Sequence, residues 1–130
     1  MAIQAEQLKA RTKQFAIRVV RLFKNLPKSD EARIIGKQAL RAGTSVAANY
    51  RAVCRSRSKA EFISKMSLVV EEADETAFWL ELLIETGIIP EARMRELLAE
   101  AKQLLAICAA SLWTARQRRR AEAARVSMAQ

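Results

Sequence analysis

Apolar side chains recur along this chain in alternating steps of four and three residues, and the recurrence breaks at only three places. Leu8, Thr12, Phe15, Val19, Leu22 and Leu26 begin it. A step that averages three and a half residues puts these positions on one side of an α-helix, and a helix with one apolar stripe must bury it against other helices. No stretch alternates with the two-residue period of a strand. With three glycines and two prolines in 130 residues, little interrupts helical geometry. The expected fold is therefore all-α: an antiparallel up-down-up-down four-helix bundle within a single domain.

The breaks delimit four helices. The first spans about Ile3 to Asn25 and stops at Leu26-Pro27, because the residue before proline is driven out of helical geometry. The second starts after Ser29 or Asp30, either a suitable N-cap, and continues to about Cys54. Its inward stripe, Ile35, Ala39, Ala42, Val46, Asn49 and Val53, is mostly small, so a neighbouring helix can approach closely. Ser58-Lys59-Ala60-Glu61 has the spacing of a capping box and opens the third helix. Phe62, Met66, Val69, Ala73, Leu80 and Ile84 line its inner face, and Gly87 supplies the stop. The fourth helix starts at Pro90, as a first-turn residue, and Met94, Leu97, Leu98, Ala101, Leu104, Leu105, Cys108 and Leu112 carry it to about Ala115. Residues 1–115 thus read as the bundle and 116–130 as a basic tail that either extends the last helix or frays.

Several functions are excluded by what the sequence lacks. It has no histidine, the commonest general base and metal ligand, and so no Glu-x-x-His di-iron pattern. Cys54 and Cys108 fit no metal spacing and read as small packing residues in a reducing compartment. Glu71 and Glu75 lie one turn apart, but nothing supplies further ligands for a divalent ion. No catalytic residue, metal or cofactor is expected, and the chain is read as a binding protein rather than an enzyme. No apolar run reaches the roughly 18 residues of a membrane span, and Met1 to Lys13 is polar, so the expectation is a cytoplasmic protein without a membrane partner.

Charge is segregated along the chain. Residues 1–65 carry 15 Lys/Arg against 4 Asp/Glu, residues 66–115 carry 3 against 9, and residues 116–130 carry 5 against 1, within an overall net charge of +9. At about 100° per residue, Arg33, Lys37, Arg41, Arg51 and Arg55 fall within an arc of roughly 80° on the second helix, nearly opposite its small-residue stripe. Arg57 and Lys59 continue the positive charge into the next loop. Bundle helices ordinarily carry charged outer faces; a single sign throughout favours a phosphate backbone, since each cation that neutralises a phosphate releases a counterion. The third helix mirrors this with Glu71, Asp74, Glu75, Glu81 and Glu85 over roughly 120°. Phe78 lies amid these acids, with Trp79 and Leu82 on the flank. Apolar residues on a charged outer face mark an oligomer interface, although Trp79 and Leu82 equally suit packing within the bundle.

The chain resembles the bacterial four-helix proteins encoded within intervening sequences of 23S ribosomal RNA genes. The resemblance covers roughly residues 15–113. It rests on Phe15 with Leu22 and the Leu26-Pro27 stop, and on Gln38-x-x-Arg41-Ala42-x-x-Ser45-Val46-x-x-Asn49. The link Arg55-Ser56-Arg57-Ser58-Lys59-Ala60-Glu61-Phe62, then Glu72-Ala73-Asp74-Glu75, Trp79-Leu80-Glu81-Leu82-Leu83 and Gly87-Ile88 complete it. Where that family commonly continues from the Asn49 position with an Ile-Ala-Glu-Gly-like stretch, this chain has Tyr50-Arg51-Ala52-Val53, as a more basic branch would. The resemblance implies a protomer assembled into a ring, typically a pentamer, with an accessory role around nucleic acid. A related group forms basic rings that bind a reverse transcriptase and its RNA.

The sequence thus reads as a homo-oligomeric accessory protein that contacts RNA or DNA through Arg33, Lys37, Arg41, Arg51, Arg55, Arg57 and Lys59. With few aromatics to stack on, sequence-specific base readout is not expected. The alternative is a protein-interaction scaffold, such as an accessory subunit of a reverse transcriptase. Anionic membrane binding by the cluster from Arg116 to Arg120 is a third reading, weakened by the absence of bulky apolar residues opposite it.

Overall fold

A computed structural model describes residues 3–130; Met1 and Ala2, the start of the polar N-terminal stretch, lie outside them. Four helices follow one another: α1 (Ala5–Lys24), α2 (Asp30–Val53), α3 (Lys59–Glu85) and α4 (Glu91–Ala129). Each packs against the next in sequence, and the backbones of α4 and α1 approach least. The result is the expected all-α four-helix bundle.

Local chemistry sets the boundaries. Gln4 precedes α1, and its backbone N–H donates to Gln7 Oε1 at 3.2 Å. Ser29 caps α2, its Oγ accepting from the Ala32 N–H at 3.3 Å, so Asp30 becomes the first helical residue. Ser58 caps α3 in the same way, accepting from Glu61 N–H at 3.0 Å. The reciprocal half of that capping box is absent from the hydrogen bonds of the described residues: the Glu61 carboxylate takes Lys65 Nζ at 2.7 Å instead. Gly87 turns the chain with φ of 75°, a region costly for any residue with a Cβ. Pro90 stands as the N-cap in extended geometry, one position earlier than the first-turn place expected for it.

The core contains Leu8, Phe15, Val19, Val46, Met66, Val69, Leu80, Leu83, Met94, Leu104 and Cys108. Buried Thr12 and Thr76 satisfy their hydroxyls by donating to the Lys9 and Glu72 carbonyls at 3.0 and 2.6 Å. On α2 the buried stripe is Ala32, Gly36, Ala39, Ala42, Gly43, Val46, Tyr50 and Val53. Ile35 and Asn49 are only half-buried, and their neighbours Gly36 and Tyr50 are buried instead, whereas Val53 closes the stripe as expected. At Gly36 the cause is the close approach of the end of α1 and its following loop. A Cβ on Gly43 would meet Val19 Cγ2 at 2.9 Å, and one on Gly36 would meet Leu26 Cδ1 at 2.4 Å, so both glycines turn inward. On α3, Thr76, Ala77 and Leu83 join the core, while Phe62 and Ile84 sit half-buried at its margin.

Over an 18-residue window with mean hydropathy 1.2, α4 is long and apolar enough to cross a membrane by length and composition. Leu104 and Cys108 of this helix are fully buried in the bundle core, which α4 would have to leave in order to span a bilayer.

Candidate nucleic-acid interface

With small residues turned toward α1 and α3, the opposite face of α2 is left to its long cations. All seven of Arg33, Lys37, Arg41, Arg51, Arg55, Arg57 and Lys59 are exposed. They are not equally free. Arg41 reaches across to α3, where Nη1 donates to Glu72 Oε2 at 3.1 Å and Nη2 pairs with Glu75. Glu75 also accepts from the Trp79 indole at 3.3 Å. The indole and then Arg41 hold the Glu75 carboxyl below its ordinary value, and the hydrogen bond that Arg41 donates to Glu75 chiefly raises the guanidinium. Arg57 lies 4.0 Å from Glu61, and Lys59 pairs with Glu122 of α4. Among the described residues, Arg33, Lys37, Arg51 and Arg55 form no ion pair, so an ion-paired Arg41 divides the ridge into two patches.

The patch at the start of α2 extends beyond the helix. Arg33 and Lys37 share a hollow of about 450 Å³ with Lys24 and Lys28, over an apolar floor of Phe23, Leu26 and Pro27. Four cations and no carboxylate line it. Sequence reasoning missed Lys24 and Lys28 because they flank the Pro27 joint, outside the periodicity of any one helix. Their only signal was proximity to the proline stop. Gly36 lies beneath the floor, where the space a Cβ would need is taken by Leu26 and Phe23.

The acidic side of α3 is partly consumed within the bundle. Glu72 and Glu75 hold Arg41, and Glu81 lies 3.7 Å from Lys102 of α4. Glu71, Asp74 and Glu85 are exposed and form no ion pair among the described residues. Phe78 is 53% exposed, and its ring meets Trp79 edge-on at 4.9 Å between centroids. Trp79 and Leu82 are half-buried, and Trp79 packs against the core. Leu68, 47% exposed on the same outer side, escaped the sequence reading because it stands one turn before the acids begin.

Among the described residues, no three His, Cys, Asp or Glu side chains gather to hold a metal ion. Fold and surface define the class: a small four-helix protein with charge sorted onto separate faces. The chain belongs to the family of 23S rRNA-intervening sequence proteins, whose model matches residues 6–110. It is similar to a solved structure from Bacteroides thetaiotaomicron, a protein with unknown function from the S23 ribosomal protein family. The two are 32% identical with a TM-score of 0.78, and the match covers 85% of this chain and 98% of that one. No curated protein matches the chain.

Proposed function

We propose that this protein is a non-catalytic, homo-oligomeric, cytoplasmic accessory protein that holds the backbone of RNA or DNA. The observation that carries the reading is the hollow at the α1–α2 corner, where Lys24, Lys28, Arg33 and Lys37 gather without a carboxylate. Four like charges kept together cost self-repulsion, which a polyanion relieves. Arg51 and Arg55 continue the same face toward the far end of α2.

A binding titration across salt concentrations tests this. Replacing Arg33 and Lys37 with Ala should leave helical content unchanged, weaken binding to all sequences alike and flatten the log–log salt slope by roughly 1.5. Adding Arg41→Ala should change affinity by no more than about twofold, because Glu72 and Glu75 already neutralise that side chain. Unchanged affinity in the Arg33/Lys37 variant would reject this face as the binding surface.

Phe78 and Leu68, exposed beside Glu71 and Asp74, favour a protein contact on α3. A second copy of the chain is the partner that suits a homo-oligomer, with the pentamer implied by the family resemblance. Docking to another protein, such as a reverse transcriptase, is the alternative use of the same face.

A further inference from the structure

We propose that the groove between the start of α3 and the overhanging end of α4, together with Trp113 one turn before its first arginine, binds single-stranded nucleic acid, with a base stacked on Trp113 and phosphates on Arg116, Arg119 and Arg120. The inference rests on the nucleic-acid reading above for its ligand class. It adds the form of the strand and a second contact surface.

Leu112 is the last buried residue of α4, yet the helix continues for seventeen more residues, about 26 Å, to Ala129. The overhang is held down at α3, where Glu122 accepts the ion pair from Lys59. That pair holds the Glu122 carboxyl below its ordinary value. Glu122 is also the only acid in residues 116–130; it pairs with Lys59 and lies near enough to Arg119 and Arg125 to feel their charge, and among the described residues the five arginines of this segment form no ion pair. Three of them, Arg116, Arg119 and Arg120, form one wall of a groove of about 550 Å³; Ser64 and Ser67 of α3 stand opposite, with Ile63 between. No carboxylate lines it. Arginine forks match phosphate oxygens, and the Ser64 hydroxyl is a donor to the same atoms, whereas Ser67 already donates to the Ser64 carbonyl at 2.8 Å.

Trp113 is 64% exposed, the most exposed aromatic residue of the described chain. Helical geometry places Arg120 within about 20° of it and two turns on, with Arg116 one turn on and about 60° round. An exposed indole beside a row of unpaired arginines combines the two elements that hold single strands: a stacking platform and a cationic track. A duplex keeps its bases stacked on one another and could use only the track. Of the exposed apolar residues farther along, Val126 lies about 140° round from the indole, and Met128, about 60° round, stands some four turns away at the helix end. The family match ends at residue 110, three positions before Trp113, so Trp113 and the arginine wall lie outside the matched region while the α3 wall lies within it.

The test uses the full chain with three probes: twelve-nucleotide oligo-U and oligo-dT, a twelve-base-pair duplex, and vesicles of phosphatidylserine and phosphatidylcholine. Trp113→Ala should weaken single-strand binding about five- to a hundredfold and leave duplex binding within about twofold. Trp113→Tyr should restore most of the loss. Single strands should quench the emission of the wild type, and that quenching should vanish in Trp113→Ala although Trp79 remains. The triple Ala variant of Arg116, Arg119 and Arg120 should flatten the single-strand salt slope by about 2. Wild-type affinity in both groove variants, alongside a loss in the Arg33/Lys37 variant, would overturn this inference and leave the proposed function standing. A wild type that binds none of the nucleic acids would end both. Binding to vesicles alone, or loss of self-association as the sole effect of Trp113→Ala, would overturn the groove in favour of a membrane or a subunit contact.

Discussion

Gly43 shows how much of this bundle depends on single atoms. Its missing Cβ lies where Val19 already stands, at 2.9 to 3.2 Å from three atoms of that side chain. Val19 branches at Cβ and cannot swing its methyl groups away without leaving a rotamer well. Gly43→Val should therefore force α1 off α2 and lower unfolding stability by about 1–3 kcal/mol, measurable by urea titration followed by circular dichroism. A variant as stable as the wild type would mean that the two helices pack less closely than their contact here indicates. The sequence announced small residues on α2 but not which of them touch. It put Asn49 inward where Tyr50 is buried, because a stripe drawn every three or four residues carries no information on how a neighbour tilts. Trp113 was invisible for a related reason: it follows Leu112 directly, and only knowing where the bundle ends reveals that nothing covers it.

At the scale of the element, helix starts were legible wherever a side chain does the capping. Ser29, Ser58 and Gly87 act where their chemistry places them. The far end of α4 was not, because Ala, Arg and Gln favour helix without an apolar period to mark it. Pairing between elements was also hidden. The sequence shows Arg41 in a basic row and Glu75 in an acidic row; only the packed bundle brings them together. That seam carries a pH dependence. Glu75, Glu61 and Glu122 all have folded-state values below the ordinary carboxylate value of 4.5. A carboxyl so lowered contributes stability that is fully present above 4.5 and is lost as pH falls through its folded value. The melting temperature should thus decline as the solution is taken from pH 7 to below 4. Glu75→Gln should make that decline shallower, since it removes one of the titrating groups. A melting temperature equal at pH 7 and pH 3.5 would contradict these pairings.

For the whole molecule, the segregation of charge sets the expected assembly. A face bearing Glu71, Asp74 and Glu85 around exposed Phe78 is unlike the face bearing Arg33 and Lys37, so contacts between copies are expected to be heterologous, and these close into a ring when the rotation per copy divides a full turn. Exposed ion pairs contribute only about 0–1 kcal/mol each, so Phe78 and Leu68 must supply most of the adhesion. Phe78→Glu should give a smaller particle by light scattering with an unchanged helical signal by circular dichroism. A mutant that stays assembled, or a wild type that is monomeric at micromolar concentration, would remove α3 from the interface. The fold could be anticipated from spacing alone, because burial of an apolar stripe is enforced at every turn. The surfaces could be anticipated only in part, because exposure is permitted to many residues and required of few.

The weak meeting of α1 and α4 carries a consequence for how the bundle breathes. These helices lie at the two ends of the chain, and their backbones approach less than any other neighbouring pair. Arg11 bridges them, with Nη2 donating to Glu100 at 2.6 Å and to Gln103 at the same distance. A polar clasp on the outside is a poorer bolt than an interlocked core, so spontaneous opening takes its lowest free-energy route along this side. The α2–α3 pair, joined by a short loop and by Arg41, then acts as the spine from which the two terminal helices swing.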